Sequence, residues 1–172
     1  MSAMAVVSWL HLIGITFWVG GIFVNTIVLM PSMKAISPAE RGKFMEAFSK
    51  RFGILAWVAV ALVVITGIIL TNDIIGFSLL VTSNSRYANL LLIKIILAIV
   101  MILNGTYMSF VLGRKMASFS SGPPASKPAD SGGKSQPPGP PPELLKIQGR
   151  MGIISWIQVV LALAILLLMG LI

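Results

Sequence analysis

Four stretches of the chain are each apolar for about the 20 helical residues needed to cross a bilayer core, and this restricts the fold more than any other feature. They run near Ala5 to Met30, Gly53 to Thr71, Ala88 to Leu112 and Met151 to Ile172. Hydrocarbon offers no partner for backbone N–H and C=O groups, so each stretch must be a helix. Only 10% of the 172 residues are charged and 56% are apolar, whereas a soluble domain carries about a quarter charged residues. The expected fold is therefore all-α and integral to the membrane: a four-transmembrane-helix antiparallel bundle, with the lipid bilayer as its first partner. The first span has no basic residue before it and the first charge is Lys34, so it is expected to be retained and not cleaved as a signal.

Charge sets the expected orientation. The net charge is +8, but five of the thirteen basic residues (Lys34, Arg41, Lys43, Lys50, Arg51) follow the first span and six lie between Gly113 and Arg150. Clusters beside apolar spans orient a membrane protein and do not make a nucleic-acid face. The first and third loops are expected in the cytoplasm and both termini outside, in a multi-pass protein of the plasma membrane. Cysteine is absent, which excludes disulfides, zinc–thiolate sites, iron–sulfur clusters and cysteine nucleophiles. The five acidic residues, Glu40, Glu46, Asp73, Asp130 and Glu143, are scattered, so no carboxylate site forms and no catalytic residue is assigned. The expected role is not enzymatic.

Three segments organise the chain: residues 1–117 with three spans and short loops, residues 118–142, and residues 143–172 with the fourth span. The middle segment holds eight of the ten prolines along with serine and glycine. Such a composition buries no core and reads as a disordered cytoplasmic linker. Within it Gly132-Gly133-Lys134-Ser135 resembles the tail of a phosphate loop, but position 128 is Pro128 and no strand precedes it, so a nucleotide site is rejected. Asn104-Gly105-Thr106 matches a glycosylation pattern yet lies inside a span.

Polar groups within a bilayer need an account, and a rise of 1.5 Å per residue sorts them by depth. His11 and Lys94 each fall about 9 Å below the outer end of their helices by this count, and Thr66 joins them. The only histidine and the only intramembrane charge are thus expected to share a layer. An inner layer contains Asn25, Asn104 and Gln158, within about 12 Å of the opposite boundary. Amides so placed hydrogen-bond between helices.

His11, Trp18 and Asn25 recur every seven residues on one helical stripe, with Gly14 and Gly21 beside them. Lys94, Met101 and Met108 form a second stripe. If the stripes face each other, His11, Lys94, Met101 and Trp18 border one cavity. Two ligands suit these residues. Copper(I) takes imidazole and thioether donors, which gives His11, Met30, Met33 and Met101 as candidate ligands. Haem b takes His11 axially, with Lys94 on a propionate and Met101 as a second ligand. A protonated Lys94 disfavours a cation near His11 and favours an anion. The structural alternative has Lys94 snorkelling to the interface, no cofactor, and His11 serving a helix contact.

Trp9-Leu10-His11-Leu12 with Trp18-Val19-Gly20-Gly21, Phe48-Ser49-Lys50-Arg51-Phe52 with Ile65-Thr66-Gly67, and Leu92-Ile93-Lys94 resemble the copper-resistance D (CopD) family and the related HemJ-type membrane proteins. The resemblance implies a four-helix membrane module. For the first family it implies copper handling or transport across the membrane. For the second it implies a b-haem redox protein in which a first-helix histidine and a third-helix lysine matter, positions held here by His11 and Lys94. HemJ-like chains carry a further histidine where this chain has Asn104 to Tyr107, which counts against haem oxidase chemistry. A third expectation is an accessory subunit without chemistry of its own, packing against other membrane subunits or as a homo-oligomer.

Overall fold

A computed structural model describes residues 2–112, 114 and 142–171. The Ser2 side chain accepts from the Ala5 N–H and starts a helix over Ala3–Phe23. It continues as a π-helical turn, Val24–Leu29, and one further α-turn, Met30–Ser32. Pro31 has no N–H to donate, and its ring crowds the carbonyl four residues back. The helix widens just before it, so that the Met30 N–H reaches the Asn25 carbonyl five residues back. A 3-10 turn, Met33–Ala35, closes the element.

The second helix, Pro38–Ile74, runs for 37 residues. Ser37 accepts from the Glu40 N–H at 3.4 Å and donates to the Glu40 carboxylate at 2.6 Å, with Pro38 in the first turn. This is a reciprocal cap at a strong start signal. The expected start at Gly53 is corrected by fifteen residues of helix, Pro38 to Phe52. Hydropathy marks where lipid contact begins, whereas the helix begins where its first N–H groups find a cap. At its other end Gly76, at φ +73°, turns the chain and donates to the Thr71 carbonyl at 3.1 Å.

A short helix not anticipated from sequence, Phe77–Thr82, packs on the third helix. The third helix, capped by Ser85, covers Arg86–Tyr107 and passes into a second π-helical turn, Met108–Leu112. Pro142–Leu171 forms the fourth. Of the expected linker, residues 118–141 lie outside the described residues and Pro142 opens the fourth helix. No strand occurs among the described residues.

Four of these helices are long and apolar enough to cross a membrane: Ala3–Ser32, Lys43–Ile74, Arg86–Val111 and Lys146–Leu171. The outer surface is apolar, unlike that of a water-soluble bundle, and the interior mixes an apolar core with polar groups. Trp9, Leu103 and Leu167 are each more than 60% exposed, while Thr26, Thr66, Thr71, Ser155 and Gln158 are buried. An outer surface of large apolar side chains around a polar-lined interior suits lipid outside and helix contacts inside. Trp18 and Val19, Ala59, Met101, and Ala162 with Ile165 bring all four helices into one core. The first two helices approach most closely: a Cβ on Gly14 would stand 2.8 Å from Val63 Cγ2 and 3.3 Å from the Ala59 carbonyl. Small residues permit this approach, which is where packing energy between membrane helices originates.

Candidate functional site

His11 lies eight residues after Ala3, Lys94 eight after Arg86, and Thr66 eight before Ile74. Each is thus about 12 Å along its helix from the same end of the bundle. His11 Nδ1 and Thr66 Oγ1 are 2.8 Å apart. The single Thr66 hydroxyl proton is donated to the Leu62 carbonyl within its own helix. With the hydroxyl proton on the Leu62 carbonyl, Thr66 Oγ1 accepts from His11 Nδ1, and that tautomer leaves the Nε2 lone pair free. Nε2 has no hydrogen-bond partner among the described residues, and it is not among the sealed polar atoms. A hydroxyl that fixes one ring nitrogen while the other stays open is the usual support of a ligating histidine. Gly67 leaves room for the ring: a Cβ there would stand 3.3 Å from His11 Cε1. Lys94 is half-buried and within Coulombic reach of the imidazole.

A second feature lies nearer the end that carries the basic segments. All four helices border a cavity of about 340 Å³. Its lining includes Trp18, Asn25 and Thr26 from the first helix and Phe48, Phe52 and Trp57 from the second. Five of the chain's ten methionines also border it: Met30, Met45, Met101, Met108 and Met151. Both π-helical turns contribute to the rim, through Asn25 and Thr26 in one and Met108 and Ser109 in the other. Such turns re-aim side chains and recur at functional sites. Gln158, 6% exposed, donates from Nε2 to the Met101 carbonyl at 3.0 Å, linking the fourth helix to the third. Gly105 leaves space for that amide, since a Cβ there would stand 3.3 Å from Nε2. Gln158 Oε1 is buried and has no donor. Ser155 Oγ lies 3.8 Å from Met108 Sδ.

The residues singled out from sequence therefore fall on two levels. His11 and Thr66 come together on the first, with Lys94 at the same height in the third helix. Trp18, Asn25, Met30, Met101 and Gln158 border the second, while Met33 is buried in the 3-10 turn and Asn104 is half-buried, neither in the lining. Seven residues, about 10 Å of helix, separate His11 from Trp18 and Lys94 from Met101. The four expected copper ligands are thus divided between levels. Met45, Met108 and Met151 were not among them. Met151, Ser155 and Gln158 share the spacing of one helical stripe, a signal available in the sequence. Met45 was hidden because its segment read as a loop.

Among the described residues no three His, Cys, Asp or Glu side chains converge, so a metal ion here would depend on thioether, amide or single-imidazole donors. No curated protein and no solved structure matches the chain. Residues 46–136, more than half of the sequence, match the family described as copper resistance protein D. The matched segment contains Thr66, Lys94, Met101 and Met108, and His11 precedes it. With four membrane-spanning helices around a polar and methionine-lined interior, the chain belongs to the copper resistance protein D (CopD) family of membrane proteins.

Proposed function

We propose that the chain handles copper within the plasma membrane, passing it across the bilayer through the interior of the bundle, with His11 as the nitrogen ligand. The observation that carries this reading is the 2.8 Å contact of His11 Nδ1 with Thr66 Oγ1, whose own proton is directed to the Leu62 carbonyl, an arrangement that turns the Nε2 lone pair outward. In the orientation that the basic loops imply, His11 lies in the outer half of the membrane. A nearby ammonium raises the energy of a cation on Nε2, so Lys94 makes His11 a point of passage and not of storage. Copper is the substrate of this activity, and its release from His11 is favoured by that repulsion.

Haem b is the second reading, because an ammonium beside an open imidazole nitrogen suits a propionate-bearing ligand. His11 would hold the iron and Lys94 a propionate. Met101 is about 10 Å farther along the bundle, so this chain offers one axial ligand. Elemental analysis and an absorption spectrum of the purified chain separate the two readings. Copper on the wild type with no Soret band, and copper passage across vesicle membranes slowed in His11→Ala, support the first. A Soret band lost in His11→Ala supports the second. Copper passage and haem content that are the same in wild type and His11→Ala overturn both.

A further inference from the structure

The methionine-bordered cavity is chemically unlike the level of His11. Methionine often fills gaps in apolar cores, and a filled core leaves voids no larger than a water molecule. Here four partly exposed methionines, Met30, Met45, Met108 and Met151, border an unfilled space of about 340 Å³ instead of filling one, while Met101 is fully buried in the core. No carboxylate borders it, so a doubly charged ion would find no counter-charge. Neutral thioethers match a soft ion of single charge, and the remaining compensation must come from dipoles. Gln158 supplies one: its amide is held by the Met101 carbonyl while Oε1 is buried without a donor, an orphaned negative dipole end in the lining. Buried acceptors are normally satisfied, so an unpaired one beside a cavity indicates something missing from it. Ser155 against Met108 Sδ restrains one of the sulfurs.

We infer that this cavity is a Cu(I) site in which Met108, with methionines brought by the other three helices, supplies thioether ligands and Gln158 offsets charge. The inference rests on the copper reading above and names the oxidation state and the resting place of the substrate. The ion enters and leaves as Cu(I), so no electron is transferred. Binding here is to neutral sulfurs in a low-dielectric interior about 10 Å from the Lys94 level, where repulsion by the ammonium is reduced. The ion therefore rests in the inner half of the bundle and only passes His11.

The test uses the full chain in lipid nanodiscs under reducing, oxygen-free conditions, titrated with Cu(I) against a chromophoric Cu(I) chelator. Wild type is expected to compete for the ion, and Ag(I) but not Zn(II) to displace it. Met108→Leu/Met151→Leu is expected to lose at least about tenfold in affinity. Met4→Leu/Met169→Leu removes the same number of sulfurs away from the cavity and should leave affinity unchanged. X-ray absorption on Cu(I)-loaded wild type should show a sulfur-dominated shell, which keeps the inference testable should the double variant misfold. A wild type that binds no Cu(I) overturns the copper reading and this inference together. Wild-type binding that survives Met108→Leu/Met151→Leu, or a shell of nitrogen and oxygen alone, overturns the inference and leaves the copper reading standing.

Discussion

Thr66→Val isolates the interaction on which the proposed role of His11 depends. Valine keeps the branched shape of threonine and removes both hydrogen bonds of the hydroxyl, that to the Leu62 carbonyl and that from His11 Nδ1 at 2.8 Å. The carbonyl keeps its helical N–H partner, so the stability loss should be small, about 0.6 kcal/mol by the average for side-chain bonds between membrane helices. The ligand effect should be larger, because an imidazole without its anchor has two tautomers and a free ring torsion. Loss of such an outer partner lowers metal affinity by about 10–100-fold, or about 1.4–2.7 kcal/mol. We expect the lower end, since one hydroxyl and not a carboxylate is removed. The chain has one histidine, so nitrogen-15 histidine labelling gives a single imidazole for magnetic resonance in nanodiscs. Wild type should show a protonated Nδ1 and an Nε2 signal that shifts on titration with Ag(I). Thr66→Val should show mixed tautomers and a midpoint moved about tenfold, and Thr66→Ser should restore the wild-type pattern. An unchanged tautomer and an unchanged midpoint in Thr66→Val would refute the assignment.

Other perturbations follow from the same contacts. Gly14→Ala places a methyl 2.8 Å from Val63 Cγ2 and 3.3 Å from backbone, and should lower stability by about 1–3 kcal/mol in thermal or denaturant unfolding. Gly67→Ala brings a methyl to 3.3 Å from His11 Cε1, so the ring must yield by a few tenths of an ångström; the same imidazole titration should show weaker Ag(I) binding with helix content unchanged by circular dichroism. Deletion of residues 118–140 removes most of the proline-rich segment outside the described helices, and should leave copper content per chain unaltered by elemental analysis.

The sequence displayed the bundle because lipid imposes one requirement, twenty or so apolar helical residues, that four segments satisfy openly. It displayed the shared level of His11 and Thr66, though not their contact, because depth along a helix is arithmetic, and residues equally far from one membrane face lie at one level. It concealed the extension of the second helix, since Arg41 to Phe52 alternates basic and aromatic residues and has no hydropathy signal; only Ser37, Pro38 and Glu40 announce it. With that helix unseen, Met45 had no face. The split of His11 from Met30 and Met101 was hidden for a different reason. A stripe says which residues point the same way, but not that seven residues of rise put them on separate levels around separate spaces.

On this reading copper passes His11 and comes to rest among the cavity methionines. The direct measurement is copper per chain in nanodiscs after equilibration with Cu(I) and removal of loose ion by a competing chelator. Copper is expected to stay with wild type and to be stripped from His11→Ala/Met108→Leu/Met151→Leu at equal protein and equal helix content. Copper absent from wild type, or retained equally by the triple variant, would contradict it.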